Sequence, residues 1–360
     1  MRRLLPALCL LGCLPPSACL LGDREAPALK RVFRKQFRIG AAVSPRSLRA
    51  EEKPILLRHF NSITTENALK MGPVHPEAGR YDFAGADSIA AFARRHGLGF
   101  RGHTLVWHKQ AADWMFRAAD GGRVSRDTLL QRLRDHVRTV AGRYRGQAYA
   151  WDVVNEAVSD QPGEYLTRTP FLEIIGPEYI ELAFRWAHEA DPDAQLFYND
   201  YRETDPVKRQ KIIRLVTDLK SRGVPIHGIG LQCHWSVHGP KEAELEAALR
   251  DFAATGMPLH ITELDVSVWP GEPARREKKP SDADDRLTPE RARAQEEQYA
   301  MAFRLFRTYA AHIDAVTFWN ITDRHSWLDD WPVRGRNDHP LLFDESLHPK
   351  PAFWRVVEGR

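Results

Sequence analysis

Two glutamates close short apolar runs in this chain, Trp151-Asp152-Val153-Val154-Asn155-Glu156 and His260-Ile261-Thr262-Glu263-Leu264-Asp265. A carboxylate ending an apolar strand costs desolvation unless paired, and folds carry that cost where chemistry happens. Two such carboxylates facing each other across a cleft, with amides and tryptophans around them, suit glycoside hydrolysis. One group must be protonated when substrate arrives, and the other must be ionised. A reference glutamate titrates at about 4.3, and a useful acid sits at about 6–7 after burial or like-charge repulsion. Composition alone does not say which glutamate does which. His234 would hold Glu263 ionised if strands 6 and 7 are adjacent, and Asp265, on the same face two residues later, would fix the histidine tautomer. Glu156, beside Trp151 and Val154, is expected in a less polar setting. Its neighbour Asn155 could grip a sugar hydroxyl or simply cap the next helix.

Other chemistries find less support. His234, Glu263 and Asp265 could be recruited by a metal, but there is no HExxH motif and no His-x-His pair. A Gly-x-Ser-x-Gly elbow and a glycine-rich phosphate loop are also lacking. No cofactor or metal is therefore expected. Basic residues form no long block, so nucleic acid is not an expected partner, and the chain reads as a monomer needing no protein partner.

The N-terminus reads as a secretory leader over residues 1–19: Arg2 and Arg3, an apolar stretch over 4–14, then Pro15, Pro16 and small residues to Cys19. Leu10-Leu11-Gly12-Cys13 and Pro16-Ser17-Ala18-Cys19 both resemble lipoprotein cleavage sites, so plain secretion (or a periplasmic product) and lipid anchoring to a bacterial membrane stay open together. Removing residues 1–18 lowers the formal net charge from +4 to +2, because Arg2 and Arg3 leave with no acid. Only Cys233 belongs firmly to the body, which excludes an internal disulfide framework there.

Apolar strand-like runs recur at 37–43, 61–67, 99–107, 149–156, 194–200, 226–232, 258–265 and 315–321. Helical spacing marks 87–96, 128–144, 178–190, 207–220, 242–254 and 289–311. Asp205-Pro206 and Thr288-Pro289 read as helix starts, and Gly97, Gly146, Gly223 and Gly256 as helix ends. Eight strands alternating with helices point to one (β/α)8 barrel domain over 30–360, with a doubly wound open sheet as the alternative. The charged segment 271–286 reads as a long loop. In such barrels the C-terminal strand ends form the active face. Those ends carry Glu66 and Asn67, His103 and Trp107, Asn155 and Glu156, Asn199 and Asp200, Gln232 and His234, Glu263 and Asp265, and Trp319. Trp107, Trp235, Trp319 and Trp327 offer flat faces for pyranose rings, Trp235 the weakest of them, and Lys70 could reach a hydroxyl from its loop.

At these residues the chain resembles glycoside hydrolase family 10, the endo-β-1,4-xylanases, along essentially the whole body. The resemblance lies in 61–70 with Glu66, Asn67 and Lys70, in Gly102-His103-Thr104-Leu105-Val106-Trp107-His108, and in 151–157 with Asn155 and Glu156. It continues through Gly230-Leu231-Gln232-Cys233-His234, Ile261-Thr262-Glu263-Leu264-Asp265, and Trp319, Asp323, Ser326 and Trp327. It implies retaining endo-cleavage of xylan, with Glu263 as nucleophile and Glu156 as general acid/base. Glu66, Asn67, Lys70, His103, Trp107, Asn155, Gln232, His234, Trp319 and Trp327 would bind sugar, supported by Asp265 and Tyr201. Retention implies carboxyl groups about 5–5.5 Å apart. Departures from the family pattern are Met71 for a common tryptophan, Ala112 for a proline, Arg202 for a frequent asparagine and Asn320 for a glycine, with His325 nearby. Arg202, if it faces the cleft, is expected to favour xylan bearing acidic sugars.

Overall fold

The structure, a computed structural model, describes residues 25–49, 51–272 and 274–359. The leader read over 1–19 lies outside these residues.

Eight strands form the barrel: β1 Arg38–Val43, β2 Ser62–Thr65, β3 Gly99–Val106, β4 Ala148–Asn155, β5 Gln195–Asp200, β6 Gly228–Leu231, β7 Leu259–Ser267 and β8 Ile313–Phe318. Each pairs in parallel with its neighbour in the order β8-β1-β2-β3-β4-β5-β6-β7, and β7 returns to β8. That return closes the sheet and removes the open-sheet alternative. β2, β6 and most of β4 are buried at successive positions, as expected of strands covered on both faces.

One helix follows each strand: α1 Lys53–His59, α2 Ala84–His96, α3 Arg126–Arg143, α4 Glu178–Ala190, α5 Pro206–Ser221, α6 Glu242–Ala253, α7 Pro289–Thr308 and α8 Pro351–Glu358. The expected starts are present: Asp205 accepts from the N–H groups of Val207 and Lys208, and Thr288 from that of Arg291. Gly97, Gly146, Gly223 and Gly256 all take positive φ where chains leave helices. α1 and α8, of 7 and 8 residues, were not anticipated, because two turns hold too few apolar repeats to show a period.

Segment 271–286 departs from a plain loop. Arg276–Glu277 pairs in parallel with Val333–Arg334 from the chain after β8, and Pro280–Asp282 forms a 3₁₀ turn. Arg276 forks onto Glu272 (2.6 Å) and Asp282 (2.6 Å), and Arg336 reaches Glu272 at 3.0 Å. Some of its charges tie this largely exposed loop to the next excursion.

Inside the barrel, Arg101 of β3 contacts His260 of β7, strands that are not neighbours, so these side chains cross the interior. Arg101 also pairs with Asp152 at 2.5 Å and lies 4.8 Å over the Phe197 ring, which stacks on His260 at 4.1 Å. This satisfied plug of charge and ring fills the barrel interior.

Candidate active site

Register brings functional side chains together before any loop is considered. Parallel pairing sets His103 beside Asp152, Asn155 beside Asn199, and His234 beside Asp265. His234 begins a three-residue strand, His234–Ser236, that prolongs the β6 edge along β7. Positions at this rim that take left-handed backbone include Glu156 with φ 57° and Cys233 with φ 59°. Non-glycine residues there store strain, a pattern that gathers at functional sites.

The strand-7 carboxylate sits in a closed network. Asn199 Nδ2 donates to Glu263 Oε1 at 2.7 Å, and His234 Nε2 lies 3.2 Å from Oε2. The other ring nitrogen of His234 is 3.0 Å from Asp265 Oδ1, and Trp327 Nε1 donates to Asp265 Oδ2 at 2.8 Å. Burial by itself would raise the Glu263 carboxyl. The charge of His103, the hydrogen bond and charge of His234, and Lys70 outweigh burial and bring it down to about 2. Burial likewise would lower His234, but Asp265 and Glu263 carry it up to about 10. The expected Glu263–His234–Asp265 chain is thus present in space, with Trp327 closing it.

The strand-4 carboxylate has a different environment. Gln232 Nε2 donates to Glu156 Oε1 at 3.2 Å, while Lys109 Nζ lies 2.6 Å from Oε2. The less polar setting expected from Trp151 and Val154 is not found. Trp151 is wholly buried, and the 3₁₀ turn His108–Gln110 after β3 swings an ammonium onto the carboxylate.

Amides join the two glutamates. The Asn155 amide lies 2.8 Å from Asn199 Nδ2 and 3.3 Å from Gln232 Nε2. Thr262 Oγ1 donates to Asn199 Oδ1 at 2.7 Å, fixing that amide's orientation. Gly230 leaves the space: a Cβ there would stand 2.2 Å from Asn199 Oδ1.

The remaining sugar-binding candidates form one wall. Lys70 is buried, donates to Asn67 Oδ1 at 2.9 Å, and lies 5.0 Å from the Trp107 ring and 5.8 Å from the Trp319 ring. Burial raises the half-buried Glu66 carboxyl against the pull of Lys70, while Asn67 is exposed. His103 Nδ1 is 3.0 Å from Asp152 Oδ2, and the ring meets Trp319 edge-on at 5.2 Å. Met71 supports this wall, its Sδ accepting from the backbone N–H of Trp107. Tyr201 stands on the other side, donating to Asp160 at 2.6 Å with its ring 4.0 Å from Lys208 Nζ. Lys208 pairs with Asp160 at 2.6 Å and Asp200 at 3.0 Å.

Two sequence readings are corrected here. Trp235 turns its N–H to Glu203 at 2.7 Å and is buried near Phe306, so it is a core ring and not a platform. Arg202, also at positive φ, pairs with Asp205 at 3.1 Å and approaches Asp160 at 3.9 Å, so its charge is already answered. Residues absent from the sequence-based site are Lys109, Thr262 and Asp152, while the sequence puts Asn199 at the active rim without a role. Asp152 had a visible signal, an acid in the middle of an apolar strand. Lys109 had none.

Comparisons with known proteins identify the family of the chain. The model of glycosyl hydrolase family 10 matches residues 28–359. Endo-1,4-beta-xylanase B of Paenibacillus barcinonensis is 47% identical over 333 residues, covering 92% of this chain and 98% of that relative. The endo-1,4-beta-xylanase of Geobacillus stearothermophilus is 48% identical over the same length, with the same coverage of both chains. The crystal structure of xylanase XynB from Paenibacillus barcinonensis, complexed with a conduramine derivative, superimposes with a TM-score of 0.88 at 47% identity over 92% of this chain and 98% of that one. A match this long, on this barrel, shows that the chain belongs to glycosyl hydrolase family 10.

Proposed function

We propose that this enzyme hydrolyses internal β-1,4-xylosidic bonds of xylan and xylo-oligosaccharides with retention, Glu263 acting as nucleophile and Glu156 as general acid/base. Its xylanase relatives supply the substrate class. The observation that carries the roles is the opposite provision for the two carboxylates. Glu263 is held ionised by His234, His103 and Lys70 and oriented by Asn199, which suits a nucleophile. Glu156 has one oxygen fixed by Gln232 and the other toward a half-exposed lysine, so that oxygen can exchange a proton.

In the first displacement a Glu263 oxygen bonds to the anomeric carbon, the glycosidic bond breaks, and the Glu156 proton goes to the leaving oxygen. In the second, Glu156 takes a proton from water, whose oxygen bonds to the same carbon as the Glu263 ester breaks. Asn155, beside both carboxylates through the amide chain, is placed to bond the 2-hydroxyl more strongly in the transition state. Trp107, Trp319 and Trp327 supply faces for the sugar rings.

Azide rescue on an aryl xylobioside tests the roles. Glu263→Ala should yield the α-azide and Glu156→Ala the β-azide. The reverse pairing would exchange the two residues, and an inverting wild type would remove the mechanism. A sugar-binding protein without hydrolysis is the contrasting reading, and release of reducing ends from xylan separates it.

A further inference from the structure

The double displacement does not call for a cation on the outer oxygen of the acid/base, yet one is there. Lys109 Nζ lies 2.6 Å from Glu156 Oε2, the oxygen that Gln232 leaves free. An ammonium offers donors only, so it cannot stand for the sugar oxygen that must receive the proton, and it has to move aside for productive binding. The side chain is 50% exposed, with Nζ 5.0 Å from the Tyr201 ring and 5.8 Å from the Trp107 ring, so water and two aromatic faces are within its reach.

Burial holds the neighbouring His108 toward its neutral form against the pull of Glu156, and the other cations nearby have partners. Lys70 bonds Asn67, Lys208 bridges Asp160 and Asp200, and Arg202 pairs with Asp205. Among the described residues, Glu156 is the one carboxylate paired with Lys109. When Glu156 takes up the proton that glycosylation needs, Lys109 loses its countercharge. A solvent-reachable ammonium between two aromatic faces is then a place for an anion. With Oε2 taken as the oxygen that hands its proton to the leaving group, Lys109 stands on the leaving-group side.

We propose that Lys109 is a specificity-determining residue that binds the carboxylate of a uronic-acid branch carried by the leaving-group part of xylan. The branch draws the ammonium off Glu156 Oε2 and so frees that oxygen for proton transfer. This rests on the acid/base role given to Glu156 above.

The test compares kcat/KM on three xylo-oligosaccharides of one backbone length: linear, bearing a single uronic-acid branch, and bearing that branch with its carboxyl reduced to an alcohol. Product mapping selects the cleavages that leave the branch on the leaving-group side. Lys109→Met, which keeps the stem, should lower the acidic-to-linear ratio about tenfold, the scale of one partly exposed charge-assisted hydrogen bond. Lys109→Arg should largely keep that ratio, and the reduced branch should show no dependence on residue 109. An unchanged ratio in Lys109→Met, or an equal fall for acidic and reduced branches, overturns the proposal. The ratio is insensitive to partial unfolding, which lowers all three rates together. A wild type that fails on the linear substrate would instead overturn the proposed function.

Discussion

The carboxylates on β4 and β7 share one rim and are held in opposite ways. Glu263 is locked by groups that are themselves locked: His234 by Asp265, Asp265 by Trp327, Asn199 by Thr262. Glu156 has one buried partner, Gln232, and one half-exposed partner, Lys109. A nucleophile must keep its charge and aim through the reaction, so a closed network serves it. An acid/base must lose and regain a proton in each turnover, and a network that fixed both oxygens would oppose that.

The largest expected effect breaks the comparison outright. Glu263→Ala should lower kcat by at least about 10⁴-fold on every substrate, because no glycosyl-enzyme forms. Glu156→Ala should be substrate-dependent. On an aryl xylobioside with a good leaving group it should retain a pre-steady-state burst of phenol, followed by turnover slowed by about 10²–10⁴-fold, the usual range for a lost general base. Stopped-flow absorbance reads both phases, and a Glu156→Ala enzyme without a burst would place this carboxylate in the first step even for activated substrates.

A smaller effect sharpens the comparison by loosening only the β7 side. In the folded chain the Glu263 carboxyl titrates below its unfolded value, so its contribution is in place above about pH 4.3 and is lost as pH falls toward about 2. His234→Gln keeps a hydrogen-bonding side chain but drops the cation, leaving burial to push Glu263 upward. The acid limb of kcat/KM should then rise by roughly one to three pH units. A pH profile superimposable on wild type would show that His103 and Lys70 suffice.

The two halves of this comparison were unequally legible. Strand alternation puts residues i and i+2 on one face, so Asp265 behind Glu263 could be read directly. His234 followed once β6 and β7 were taken as neighbours, a consequence of barrel order. The Glu156 side depends on the chain after β3, where a three-residue 3₁₀ turn has no periodicity to read and decides where Lys109 points. Segment 271–286 was legible as a long loop but not in its ties: a run of charge looks the same in sequence whether it meets water or, as with Arg276 and Arg336, shared carboxylates. The barrel was legible because its strands are buried on both faces, while α1 and α8 are too short to show a helical period.

The smallest effect concerns Arg202, which sequence position made a candidate for acidic branches and geometry does not favour. Its guanidinium is 3.1 Å from Asp205, the residue whose carboxylate also caps α5. Releasing it toward substrate would break an ion pair and disturb that cap. A half-exposed pair of this kind is worth about 0–1 kcal/mol. Arg202→Asn should therefore leave the acidic-to-linear kcat/KM ratio within about twofold and lower stability by no more than about 1 kcal/mol, read by thermal unfolding beside the ratio assay. Side by side with Lys109→Met, this variant asks whether proximity in sequence or a cation whose partner must take up a proton selects the branch. A loss confined to Arg202→Asn would return acid recognition to β5 and leave Lys109 as a local partner of Glu156.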